Sequence, residues 1–195
     1  GCARAHAARE AGANVVLISG PSHEATPEGV RRIDVETAAQ MHEAVMKQLR
    51  HSRIFISAAA VADYRPKSAS EHQLKKHDAA LTIELERTED ILATVAGSSP
   101  GPFVVGFAAE TENLELNASA KLKNKSLDMI AANRVGKDTN AQDIGFNSEY
   151  NALQVLWADG GQALELSRKT TLARELIKLV AHRYSINRQH EKNTA

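Results

Sequence analysis

Residues 103–133 read FVVGFAAETENLELNASAKLKNKSLDMIAAN, and this stretch decides the fold. Phe103 to Phe107 is a short apolar run of the kind that forms a strand covered on both faces. Residues 114–126 are expected to form a helix, and Asp128 to Ala132 a further strand. A strand, a helix and a strand in close succession is the unit from which parallel sheets are built.

The same alternation extends in both directions. Residues 1–11 read as an Ala-rich helix stopped by Gly12, and Asn14 to Ser19 as a strand buried on both faces, broken by Gly20-Pro21. Arg31 to Val35 is a weaker strand. Thr37 is the expected N-cap of a helix through Leu49, with Ala38, Met41, Val45 and Leu49 inward. Arg53 to Ser57 is a strand, and Leu81, Ile83 and Leu85 alternate as in a half-exposed one. Thr88 is expected to cap a helix over Glu89 to Ala96, closed by Gly97. A long polar loop should reach Asn147. Ala152 to Trp157 and Gln162 to Leu166 then flank Asp159-Gly160-Gly161 as a hairpin. The last helix, about 170–184, carries Leu172, Leu176, Val180 and Tyr184 at four-residue steps. The polar tail from Asn187 is expected to fray. The fold class expected is α/β: one Rossmann-like, doubly wound, mainly parallel sheet with helices on both faces and a C-terminal antiparallel hairpin.

Composition excludes several functions. The 195 residues include 24 basic and 24 acidic side chains, so no net field draws nucleic acid or an anionic membrane to the chain. Aromatics make up 4%, too few for a base-stacking platform. The one cysteine, Cys2, allows no intrachain disulfide and no thiolate metal cage, and is read as a small packing residue. No apolar run approaches the roughly 20 residues of a membrane span, and no signal peptide is read, so a cytoplasmic protein is expected. None of the 11 glycines forms a Gly-x-Gly-x-x-Gly or phosphate-loop pattern, which counts against a nicotinamide-dependent reductase. The eight histidines include no metal-binding pair on one helix turn, and there is no Gly-x-Ser-x-Gly elbow.

In an open α/β sheet, ligands bind at the carboxyl ends of the strands. Three successive loops there combine small residues with polar heads. After Ser57 come Ala58 to Ala62 and Asp63; after Phe107 come Ala108-Ala109-Glu110-Thr111; after Ala132 comes Asn133. Alanines admit a ligand close to the backbone, although each loop taken alone could equally be tight packing plus a cap. Lys121 and Lys125 share one helix face, with Lys123 roughly opposite, at about 100° per residue. Such a pair can clamp a polyphosphate or serve as a solvated face near a helix C-terminus. Gln73-Leu74-Lys75-Lys76 is a second basic group with the same two readings.

The strings Ser57-Ala58-Ala59-Ala60-Val61-Ala62-Asp63-Tyr64-Arg65, Val105-Gly106-Phe107-Ala108-Ala109-Glu110-Thr111 and Leu127-Asp128-Met129-Ile130-Ala131-Ala132-Asn133 resemble phosphopantothenoylcysteine synthetase. The similarity runs in order from Gly1 to about Tyr184. It implies a ligase of coenzyme A biosynthesis that uses CTP, with Mg²⁺, to activate 4′-phosphopantothenate as an acyl-cytidylate, which cysteine then attacks. It also implies a homodimer and fusion to an upstream decarboxylase, whose FMN would belong to that other domain. Carried over residue by residue, the resemblance places CTP at Ser57, Ala58, Ala59, Asp63, Glu89, Asp90, Ile91, Leu92 and Phe107, with Lys121 and Lys125 on the phosphates. Ala60, Gln73, Lys75, Lys76 and Asn133 are candidate contacts to the other substrate.

Two departures matter. The family carries a lysine where this chain has Gln73, which Lys75 or Lys76 would have to replace. The family also opens with a strand, an asparagine that handles the acyl-cytidylate and a Ser-Ser-Gly-Lys-x-Gly loop, of which only the last glycine, Gly1, is expected here. No catalytic residue is therefore assigned. The alternative is a nucleotide-binding module without turnover on its own.

Overall fold

The computed structural model describes residues 1–68, 82–110, 113–134, 136–137, 143–144 and 149–194. The stretch that decides the fold forms β6 (Phe103–Glu110), α4 (Leu114–Asn124) and β7 (Met129–Arg134), with β6 and β7 parallel from Val105 opposite Met129 onward. β3 (Ile54–Ile56) lies parallel on the other side of β6. β10 (Tyr150–Trp157) and β11 (Gly160–Arg168) add antiparallel beyond β7, giving the order β11-β10-β7-β6-β3.

Period-two alternation in β6 and β7 divides the core between the two faces. Val104, Ala108, Ile130 and Ala132 pack with α2 (Ala38–Leu49), α3 (Ile91–Ala96) and α4. Phe103, Val105, Met129 and Ala131 pack instead with Leu172, Leu176 and Val180 of α5 (Lys169–Thr194). Gly106 is set by contact: a β-carbon there would come within 2.7 Å of Leu127 Cδ1 and 3.3 Å of Leu92 Cδ2. Helices on both faces of a mainly parallel sheet are the architecture expected.

Local signals were accurate where the chemistry is short-ranged. Thr37 caps α2 in a full capping box, its side chain accepting from Gln40 N while Gln40 returns a bond to the Thr37 backbone. Gly12, at φ +88°, ends α1 (Cys2–Glu10). Other expectations need correction. Asp90, not Thr88, caps α3, accepting from Ala93 N at 3.0 Å, because Thr88 is held back by the Ala62 carbonyl. The strand expected around Leu81–Leu85 is β5 (Leu85–Arg87), antiparallel to β4 (Tyr64–Pro66), which was read as loop. Leu81 itself lies outside the described residues. The expected polar loop contains a short pair, β8 (Gly136–Lys137) with β9 (Asp143–Ile144). The tail does not fray at Asn187: α5 continues, and Asn187 Nδ2 donates to Asp128 Oδ1, whose Oδ2 accepts from Val104 N.

The largest correction concerns β1 (Val16–Ser19). It was expected to be buried on both faces, yet Val16 is 40% exposed and the rest of the strand only half-buried. β1 pairs in parallel with β2 (Arg31–Asp34) as a separate two-stranded sheet. Between β1 and β3 runs a cleft of about 1410 Å³, floored by Ala5 and Ala8 of α1 and Ile177 and Val180 of α5 on one side, and Met41 and Val45 of α2 on the other. Among the described residues no helix is long and apolar enough to cross a membrane.

Leu176 is fully buried against the β6–β7 face. Leu176→Ala should lower unfolding stability by about 2–5 kcal/mol through lost burial and a residual cavity, measurable as a reduced urea midpoint at unchanged slope.

Candidate functional site

The carboxyl ends of β3, β6 and β7 converge on one edge. Ser57 N donates to Val105 O at 2.9 Å, so the chain stays paired one residue beyond β3 before Ala58–Ala60 turn away, with Ala59 and Ala60 exposed. Asp63 is exposed, and its backbone carbonyl accepts from Thr88 N at 3.0 Å. With the Thr88 hydroxyl on Ala62 O, this ties the alanine loop to the segment Glu89–Leu92. Those four residues do not act alike. Ile91 and Leu92 bury their side chains in the core, so only their backbone can meet a ligand. Glu89 Oε2 lies 3.1 Å from His42 Nε2 on α2, without hydrogen-bond alignment.

Asp90 joins this segment to α4. One carboxylate oxygen caps α3, and the other accepts from Lys125 Nζ at 2.5 Å. Lys121 Nζ, one turn earlier, donates to the Phe107 carbonyl at 2.8 Å. Both lysines are half-buried while Lys123 is exposed, as the helical spacing required. Burial raises the Asp90 carboxyl, but the hydrogen bonds from Lys125 and Ala93 N and the charges of Lys125 and Lys121 together carry it below its usual value. Asn133 stands at the end of β7, opposite Ala109, with its Oδ1 buried and without a hydrogen-bond partner.

The structure thus brings together Ser57, Ala58, Ala59, Asp63, Asp90, Phe107, Lys121 and Lys125. Gln73, Lys75 and Lys76 lie outside the described residues, as does Thr111, so their part in the site stays an expectation. Sequence reading missed two features. One is the Thr88 tether, whose signal was spent on a cap. The other is Arg4, whose guanidinium lies 4.1 Å from the centre of the Phe107 ring, with burial holding its pKa below the usual value. Only the α1 periodicity, which turns position 4 toward the sheet, could have marked it. Among the described residues no three His, Cys, Asp or Glu side chains gather as a metal cage. Single carboxylates such as Asp63 and Asp90 fit a magnesium ion carried largely by phosphate and water.

Lys121 and Lys125, both half-buried, are thus held by the Phe107 carbonyl and the Asp90 carboxylate on the side of the sheet where the alanine loop begins. Comparison with known proteins agrees in extent and in fold. Residues 1–184 match the model for the DNA/pantothenate metabolism flavoprotein C-terminal domain. The chain belongs to that family.

Among relatives of this C-terminal domain family, the coenzyme A biosynthesis bifunctional protein CoaBC of Vibrio cholerae is 47% identical over 183 residues. That match covers 92% of the chain but 45% of the relative, so the chain spans less than half the length of this curated protein. The solved C-terminal domain of a CoaBC protein superposes with a TM-score of 0.74 at 37% identity, covering 92% of the chain and 79% of that domain. The DNA/pantothenate metabolism flavoprotein of Streptococcus pneumoniae, at 16% identity and a TM-score of 0.73, supports the fold alone; the match covers 93% of the chain and 86% of that protein.

The depressed Asp90 pKa carries a sign. Its contribution to stability is fully present above the ordinary carboxylate value near ~3.9 and is lost as pH falls through the lowered one. Asp90→Asn keeps a good cap but loses the ion pair. It should therefore cost under about 1 kcal/mol at neutral pH, both partners being partly solvated. The difference from wild type should shrink as urea titrations are carried to lower pH, because the wild-type carboxyl is protonated only below its usual range.

Proposed function

We propose that this chain is the ligase part of a coenzyme A biosynthesis protein, which joins 4′-phosphopantothenate to cysteine at the expense of CTP. The observation that carries the reading is the pair Lys121 and Lys125, held at the ends of β6 and α3 beside Ser57–Asp63. The nature of the curated relatives supports it. In the first step a carboxylate oxygen of phosphopantothenate attacks the α-phosphorus of CTP, forming a P–O bond as the α–β bridging bond breaks and pyrophosphate leaves. In the second, the cysteine amine attacks the acyl carbon, the amide forms, a proton is lost and CMP departs.

Such a transfer asks for alignment and charge neutralisation more than for a proton relay. Lys121 and Lys125 would meet the charge on the phosphates. The alanine loop and the backbone of residues 89–92 would let the nucleotide approach closely, and Asp63 would lie at the same rim. Magnesium, when bound, would supply further phosphate charge neutralisation, with Asp63 or Asp90 as protein ligand. Asn133, with its orphaned acceptor, is the best-placed candidate for a contact to the second substrate or to the cysteine amine. Association as a homodimer, residence in the cytoplasm and fusion to an FMN-containing decarboxylase belong to the same proposal.

The open edges of β1 and β3 favour a second reading for residues 1–195 taken alone: CTP binding without turnover. A parallel strand from preceding polypeptide, seated in the cleft, would join the two sheets and bring the loop expected ahead of Gly1 onto the site.

Lys125→Gln in a polypeptide extended ahead of Gly1 should weaken CTP binding at least tenfold by calorimetry; an unchanged affinity would show the clamp to be wrong. NADPH should not bind where CTP does. The extended protein should release pyrophosphate only with phosphopantothenate and then form product with cysteine. Residues 1–195 alone should bind CTP weakly and release none, and robust release by them would sink the second reading.

A further inference from the structure

Lys125 is not waiting free for an anion. Its ammonium is already satisfied by Asp90 Oδ2 at 2.5 Å, and the same carboxylate, through Oδ1, holds the first turn of α3 at Ala93 N. The carboxylate therefore cannot swing away with the lysine without giving up a cap. Lys125 has the long, unbranched arm of the pair: it stands at the C-terminal cap of α4, its backbone N–H is bonded to Lys121 O, and its ammonium has no cap to hold. An incoming polyphosphate therefore meets Lys125 beside a fixed negative charge that repels it and competes for the ammonium. Lys121 Nζ donates to the Phe107 carbonyl.

From this geometry we propose that Asp90 is an internal competitor for the phosphate-binding lysine. It is an affinity-setting residue that occupies Lys125 in the free protein and takes it back when the anion leaves. The proposal rests on the polyphosphate role given to Lys125 above, and extends it by assigning a neighbour an opposing one. Its chemical consequence is selectivity by charge. An anion that cannot outbid a carboxylate for the ammonium gains little from this lysine, whereas a triphosphate does, and pyrophosphate release is helped by the returning ion pair.

Asp90→Asn separates this role from capping, because asparagine caps as well as aspartate. Calorimetry on the full chain, with inorganic tripolyphosphate and separately with CTP, should show the variant binding tripolyphosphate about two- to fivefold more tightly than wild type, the scale of a partly solvated ion pair. In a Lys125→Gln background the same substitution should bring little gain, since no ammonium remains to be released. Weaker or equal tripolyphosphate binding by Asp90→Asn, or an equal gain with and without Lys125, overturns the competitor role. Tighter tripolyphosphate binding together with no preference for CTP over ATP keeps the competitor and overturns the CTP reading instead, so the two failures are distinguishable. Asp90→Ala, which also loses the cap, provides the control. If it binds no more tightly than Asp90→Asn and melts earlier, the gain comes from the charge and not from a loosened α3.

Discussion

The parallel pairing of β6 with β7 is the constraint on which the remainder of the structure rests. Val105, Met129, Ile130, Ala131 and Ala132 are completely buried, and their side chains alternate between two helical layers. A one-residue slip in register would exchange every one of them between the α2–α4 face and the α5 face. Gly106 adds to this specificity, since only a residue without a β-carbon admits Leu127 and Leu92 so close to the sheet. Asp128 locks the start of the pair from outside, accepting from Val104 N and from Asn187 near the end of α5. The long terminal helix is thereby tied to the strand pair it covers.

That register also places the site. Because β3, β6 and β7 run the same way, their carboxyl ends open on one side of the sheet; Ala108–Glu110 and Asn133, expected in the loops after β6 and β7, lie within the last residues of the strands themselves. α4 returns along the sheet and presents Lys121 to the end of β6 and Lys125 to the start of α3. Each lysine therefore depends on two elements, the helix that carries it and the strand end or cap that receives it. The two lysines sit among the carboxylates of Asp63, Glu89 and Asp90 in a chain whose net charge is zero. An anion site of this kind works by placement, because the molecule as a whole supplies no attracting field.

Sequence alone marked most elements of this sheet and the shared face of Lys121 and Lys125, because those features are written in short-range patterns. Apolar runs marked β6 and β7, a Thr-x-x-Gln pattern marked the start of α2, and four-residue spacing put Lys121 and Lys125 on one face. What escaped was decided by distant partners. Thr88 looks like a cap until Ala62, 26 residues earlier, claims its hydroxyl, and only then does Asp90 become the cap. β4 is invisible as a strand because its reason to extend is β5, some twenty residues away. Asn187 and its neighbours read as a frayed tail until Asp128 supplies an anchor 59 residues distant. Arg4 reaches its place over Phe107 only through the packing of α1 on the sheet.

The exposure of β1 follows from the same logic and explains why the two halves of the site differ in definition. A strand as apolar as Val-Leu-Ile-Ser has the composition of one covered on both faces with a neighbour at each edge. Here it has a neighbour at one edge only, and β3 is in the same condition across the cleft. Apolar residues of α1, α2 and α5 line the gap, among them Ile177, which packs with Ala7, and Val180, which also packs with the β6–β7 face. Lys121, Lys125 and Asp90 stand on the packed side of this discontinuity, held by hydrogen bonds to Phe107 and within the Asp90 pair. Arg4 and the Ser57–Val61 loop border the cleft itself. Whatever occupies the cleft meets Arg4, and with it the cover over the Phe107 ring.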